Sequence, residues 1–185
     1  MCNCEFPILK TPRLLLRAIN YSDAQLVHRN LSDCYTVLYS NTREPPTLEK
    51  IHQIIDIWEK NFRNQQGIRW GITIIEKNIV IGSCGYKNIN KKHRRAEIGY
   101  EISGEYRRKG FMSEAVNAVI KYGFEVIELN RIEATVNCDN LPSISLLHKL
   151  GFYEEGILRE YEVQQEQFID LKLFSLLQRD FFMLR

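Results

Sequence analysis

The spacing of apolar positions divides this chain into alternating strand and helix signals. Arg13–Ile19, RLLLRAI, predicts a strand, and in NYSDAQLVHRN after it Ser22 or Asp23 is placed to cap a short helix. Pro45-Pro46 breaks the chain. Thr47 then caps a helix running to about Asn64, with Ile51, Ile54, Ile55, Trp58 and Phe62 on one face at helical spacing. That stripe predicts core, or one wall of a cleft. IRWGITIIEKNIVIGSCGYKNI predicts two strands joined by a tight turn near Lys77-Asn78, with Trp70, Ile72 and Ile74 alternating on one side. Gly82 and Gly85 predict a bulge or a close backbone approach in the second strand.

RRAEIGYEI predicts a further strand, with Ala96, Ile98, Tyr100 and Ile102 on one side and Glu97, Gly99 and Glu101 on the other. Met112, Ala115, Val116, Val119, Ile120, Gly123 and Phe124 then form a continuous helical stripe. After it come a strand RIEATVN, a turn containing Pro142, and a helix Ser143–Leu150 ended by Gly151. FYEEGILREYEV and DLKLFSLLQRDF predict two closing strands. The order is mixed α/β, strand–helix–strand–helix–strand in the second half, without repeats or linkers. At 185 residues, with 44% hydrophobic and 26% charged residues, residues 1–185 are expected to form a single soluble domain.

Composition narrows the classes. No apolar run approaches the roughly 18 residues needed to span a bilayer. MCNCEFPILKTPR lacks the apolar centre of a secretory signal, so the expected location is the cytoplasm, with no membrane partner. Five scattered cysteines do not read as a disulfide framework. Cys2 and Cys4 have no second ligand pair nearby, and the four histidines stand alone, so no metal is expected. The net charge is only +2, but residues 91–109 hold seven basic and three acidic residues, while residues 154–170 hold six acidic residues against Arg159. One part of the molecule suits an anion and another a cation. The basic cluster includes Tyr100 and Tyr106 but belongs to no nucleic-acid module, so no nucleic-acid partner is expected.

Arg107, Arg108, Lys109 and Gly110 stand where the second long helix begins. A helix start presents unpaired N–H groups and the positive end of its dipole, and Gly110 allows close backbone approach. That is a recipe for binding pyrophosphate. GxxxxGK and GxGxxG motifs are absent, however, and by spacing alone a water-exposed basic helix start fits as well.

Arg107-Arg108-Lys109-Gly110-Phe111-Met112 resembles the acetyl-CoA signature of the GNAT superfamily of N-acetyltransferases, Arg/Gln-x-x-Gly-x-Gly/Ala, with Met112 departing at the last position. TPRLLLR, AEIGYEI, SEAVNAVIKYGF, RIEATVNCDNLPS and LHKLGFYEEGILRE are similar to the branch containing RimJ and RimL, from residue 11 to about 180. The resemblance implies a mixed central sheet with splayed parallel strands, about Arg95–Ile102 and Arg131–Asn137, flanked by helices. It implies that acetyl-CoA is the co-substrate, held by the signature loop and Ser113, by backbone groups of Ile102, and by Asn140 on the pantetheine amide.

Transfer of an acetyl group to an amine needs a neutral nucleophile, donors for the oxyanion and a proton for the leaving thiolate. Glu97, Glu101, Glu160 and Glu162 are candidate carboxylates, and the resemblance implies Glu97 or Glu162 as the base. It implies Ser143 as the proton donor, since Leu147 stands where many relatives have tyrosine. Asn140-Leu141-Pro142-Ser143 is equally ordinary capping chemistry, and one residue can do both. Tyr153, Trp58 and Phe62 are candidate cleft aromatics, although such residues are more often core. Loops around Leu31–Pro46 and Glu162–Phe168 are expected to shape the acceptor site. The expected activity is direct transfer to a protein or peptide α-amine in a ternary complex. The alternatives are a small amine, either a polyamine or an aminoglycoside, or a silent acyl-CoA-binding module. Dimers are frequent in the family, so the resemblance allows a homodimer.

Overall fold

The computed structural model describes residues 5–39, 44–164 and 166–183. Among them, eight strands form one mixed sheet in the order β1-β2-β3-β4-β5-β6-β8-β7. These are β1 (Leu9–Lys10), β2 (Leu14–Arg17), β3 (Ile68–Ile74), β4 (Val80–Asn90), β5 (Arg95–Ile102), β6 (Arg131–Asn137), β7 (Tyr153–Gln164) and β8 (Gln167–Leu177). The helices are α1 (Ala24–Leu31), α2 (Cys34–Leu38), α3 (Leu48–Arg63), α4 (Phe111–Glu125), α5 (Leu141–Lys149) and α6 (Gln178–Met183).

Period-2 alternation divides the sheet's two faces. Trp70, Ile72, Ala96, Ile98, Ile132 and Ala134 face α4, which answers with Ala115, Val116, Val119, Ile120 and Phe124, all in one buried cluster. Leu147 of α5 belongs to the same cluster. The other helical layer is smaller: Ala24 and Val27 of α1 pack on Ile51 and Ile55 of α3, with Ile54 and Trp58 at the margin. The stripe expected on the 47–64 helix is therefore core, while Phe62 turns to the main cluster against Phe6.

Thr47 caps α3 as expected, its hydroxyl accepting from Lys50 N at 3.2 Å. At the first short helix Asn20, rather than Ser22 or Asp23, supplies the accepting cap. Asp23 reaches back instead to the Asn20 backbone N–H and takes Arg17 in a two-pronged ion pair. Both glycine expectations on β4 are met. The register slips by one residue beside Gly82, and a Cβ at Gly85 would stand 2.0 Å from the Ile68 carbonyl oxygen. Two boundaries move. The helix expected from Ser143 begins at Leu141, because Pro142 fits the first turn where no N–H is needed. The last strand ends at Leu177, and QRDFFM forms α6 instead of continuing it.

The decisive feature lies between β5 and β6, the parallel pair. Their ladder runs Arg95↔Arg131, Ala96↔Ile132, Glu97↔Glu133 and then stops, although β5 continues to Ile102 and β6 to Asn137. Backbone groups in the parted segments are free to pair with an extended ligand.

Candidate active site

A groove of about 1100 Å³ begins at this parting. It runs along the N-terminal ends of α4 and α5, with Leu31, Tyr35, Thr36 and Tyr39 on its far wall. Ile102, Arg107, Arg108, Gly110, Met112, Ser113, Asn140 and Ser143, all singled out from the sequence, line it together. Lys109 and Phe111 do not. Lys109 lies over the Tyr106 ring, and Phe111 packs beneath the Arg13 guanidinium at 4.5 Å.

At one end, Gly110 sits at φ 78, a left-handed conformation that most residues avoid, directly before α4. The first intrahelical bond runs from Glu114 N to Gly110 O at 3.1 Å, leaving the N–H groups of Phe111, Met112 and Ser113 ahead of it without helical partners. Arg13, which the sequence reading did not single out, steadies this corner. It donates to the Lys109 carbonyl at 3.1 Å and pairs with Glu114 at 2.7 Å. Burial works to raise the Glu114 carboxyl, but hydrogen bonds from the Thr11 hydroxyl and from Arg13 overcome it and hold it below the usual glutamate range.

At the inner end, the hydroxyls of Tyr100 and Ser143 lie 2.7 Å apart. Burial pushes the Tyr100 phenol up to about 12, against the opposing pull of the Ser143 hydrogen bond, so it stays protonated at neutral pH. Asn140 caps α5 by accepting from Ser143 N at 3.2 Å, and Tyr35 donates to the same Asn140 oxygen at 3.5 Å. The capping reading of Asn140-Leu141-Pro142-Ser143 is thus realised, and the Ser143 hydroxyl still faces the groove. Leu147, where a tyrosine was looked for, is fully buried and offers nothing to the groove. Tyr100 was legible only as one more residue on an apolar strand face.

The carboxylates separate. Glu101 lines the groove, but Ser83 donates to one of its oxygens and the half-buried Arg69 to the other. Glu97 lines a second cavity of about 490 Å³, with Glu133, Thr135 and Tyr161, instead of the groove. It is paired with Lys87 at 2.9 Å and accepts from Thr135 at 2.8 Å. Glu162 is not among the groove-lining residues either. It shares its side of β7 with Gln164, whose amide accepts from Asn137 at 3.3 Å and donates to Leu38 O at 2.9 Å. That contact joins the two loops expected to shape the acceptor site. Glu162 itself has no ion-pair partner among the described residues. Tyr153 is 70% exposed and lines neither cavity, and Trp58 and Phe62 belong to the cores. Cys2 and Cys4 lie outside the described residues, among which no cluster of metal-ligating side chains occurs.

The acetyltransferase (GNAT) domain family matches residues 13–153. The chain belongs to the GNAT family. It is an acetyl-CoA-dependent N-acetyltransferase with a mixed sheet and helices on both faces. It is 39% identical over 171 residues to the uncharacterized N-acetyltransferase YoaA of Bacillus subtilis strain 168, covering 92% of this chain and 97% of that protein. YdaF from the same organism, provisionally named a ribosomal N-acetyltransferase, is 32% identical and covers 69% of this chain and 68% of its own. A spermidine N(1)-acetyltransferase of Vibrio cholerae is 28% identical, covering 90% and 94%. A GNAT-family acetyltransferase from Bacillus anthracis superposes with a TM-score of 0.82 at 28% identity, over 94% of this chain and 99% of that one. The groove fits the co-substrate such enzymes use. Three free amides at a helix start suit its diphosphate, and the parted strands suit its extended amide-bearing arm. No helix among the described residues is long and apolar enough to cross a membrane.

Proposed function

We propose that the enzyme acetylates the α-amino group of a protein or peptide, within the RimJ/RimL-like branch. Acetyl-CoA supplies the acyl group as an activated thioester, and the chain's own residues position it and move protons. Phe111, Met112 and Ser113 amides with Arg108 hold the diphosphate, and Ile102 and Asn140 hold the arm. The Tyr100–Ser143 hydroxyl pair keeps a proton at the inner end of the groove for the departing thiolate. Glu162, on the hairpin that closes on α2, takes the proton from the incoming ammonium.

The observation that carries the acceptor class is the pairing of carboxylates on the β5–β6 face. Glu97 is neutralised by Lys87, Glu101 by Arg69, and Glu133 by Arg95 and Arg131. A polycation would have to displace four of the protein's own cations, each at a desolvation cost. An α-amine carries a single charge that the unpaired Glu162 can meet, and with a pKa of about 8 it needs the least help to become neutral. A small-amine acceptor draws its support from the likeness to the spermidine enzyme. Incubation with acetyl-CoA and a pool of peptides of varied N-termini, spermidine and aminoglycosides, read by mass spectrometry, separates the two. Acetylated peptide α-amines are expected, and an acetylated spermidine with untouched peptides reverses the assignment.

A further inference from the structure

The first residue of the signature, Arg107, has two anionic claimants. It lines the groove beside the α4 N-terminus, yet its guanidinium is paired with Asp33, far away in sequence. Asp33 is itself the cap of α2, accepting from Tyr35 N at 3.1 Å and Thr36 N at 3.4 Å. The Arg107 guanidinium also lies 4.5 Å from the centre of the Tyr35 ring.

Helix α2 buries none of its residues. Polar contacts hold it to its surroundings: Arg107 on Asp33, Tyr39 donating to Asp139 O at 3.2 Å, and Gln164 donating to Leu38 O. Tyr35 and Val37 are only half-buried and Leu38 is exposed, so little apolar burial restrains such a segment when a tether is released.

We propose that Asp33 is a positioning residue that competes with the diphosphate for the Arg107 guanidinium, linking cofactor entry to the seating of α2. This rests on the placement of the diphosphate at the α4 N-terminus. A guanidinium presents five donors in a fixed fork and can serve either anion well but not both with the same edge. While Asp33 holds it, a diphosphate gains less from Arg107. When the diphosphate takes it, α2 loses one tether and the Tyr35 ring loses its cation. Thermodynamic linkage makes the effect reciprocal.

The proposal predicts a gain of affinity on removing a native contact, which no merely structural role for Asp33 produces. Asp33→Asn is the discriminating variant, since asparagine caps a helix as well as aspartate does while the charge disappears. Titration calorimetry with CoA on wild type, Asp33→Asn, Arg107→Gln and the double variant reads the coupling. Asp33→Asn is expected to tighten CoA binding about three- to tenfold, the scale of one partly exposed ion pair. In the Arg107→Gln background the same change is expected to alter affinity by less than about twofold. Should Asp33→Asn fail to fold, Asp33→Ser retains a cap and serves in its place. Weaker or unchanged CoA binding in Asp33→Asn, or a gain that persists undiminished without Arg107, overturns the proposal. Absence of CoA binding by the wild type overturns the diphosphate placement as well.

Discussion

The phenol of Tyr100 and the hydroxyl of Ser143 form a 2.7 Å hydrogen bond across the inner end of the groove, joining β5 to the first turn of α5. The pair sits where the strands part, so either oxygen can pass a proton to a group lying between them.

Removing the pair should therefore cost rate more than binding. Tyr100→Phe is expected to lower kcat about 100-fold, in the range of lost general acid catalysis, with CoA affinity little changed. Ser143→Ala should cost about tenfold, and the double variant no more than Tyr100→Phe, because residues acting as a unit are not additive. Steady-state kinetics beside CoA titrations check this. Equal losses in kcat and CoA affinity would make the pair a binding element instead.

Gly110 holds a φ of 78, and the proposed placement of the diphosphate also needs its backbone to approach an anion. Gly110→Ala should cost about 1 kcal/mol of stability from left-handed strain. Its Cβ would meet only the Arg13 guanidinium, at 3.3 Å. Gly110→Asp adds a carboxylate facing the diphosphate and should abolish detectable CoA binding while leaving a cooperative thermal transition. Retained affinity in Gly110→Asp would remove the diphosphate from this corner.

Glu162 and Glu97 can be told apart by the pH at which a variant recovers. If Glu162 takes the ammonium proton, Glu162→Gln should lose about tenfold in kcat/KM at pH 7 and regain much of it by about pH 9, where an α-amine is already neutral. Glu97→Gln removes the charge opposite Lys87 while keeping an acceptor for Thr135, and should change the rate by no more than about threefold. The reverse ordering moves the base to Glu97.

Asp23 is 5% exposed and bonded by both Arg17 nitrogens at 2.8 Å. Burial works to raise its carboxyl, and the Arg17 and Asn20 hydrogen bonds outweigh it, so the net shift is downward. A lowered native pKa contributes stability that is present above the unfolded value near 4 and lost as pH falls through the native one. Asp23→Asn leaves the half-buried Arg17 without its charge partner and should cost about 2 kcal/mol at pH 7. Its urea midpoint should also fall less steeply than wild type below pH 4. Parallel curves would assign the acid sensitivity elsewhere.

How much of this was legible in the chain depends on the range of the interaction. The Thr47 cap, the β3–β4 turn, the left-handed Gly110 and the Asn140 cap are set within a few residues, and local pattern suffices for each. The α4 stripe was readable because a buried face repeats at the helical period. The start of α5 was read two residues late because Pro142 resembles a breaker but is tolerated in a first turn. Leu147 read as a missing catalytic group, whereas its burial makes it core and leaves the hydroxyl to Tyr100.

By itself the sequence determined the mixed α/β order, the resemblance that names acetyl-CoA, and the residues gathered at the start of α4, since these follow from local propensity and a contiguous motif. The tertiary structure decided what depends on contacts between distant segments. It set the hydroxyl pair 43 residues apart and Arg107 on Asp33, 74 residues away. It also locked Glu97 and Glu101 into ion pairs and brought Gln164 onto Leu38. Periodicity reports which face of an element is buried. Only the packing of elements in space decides which polar groups meet there and which carboxylate is left without a partner.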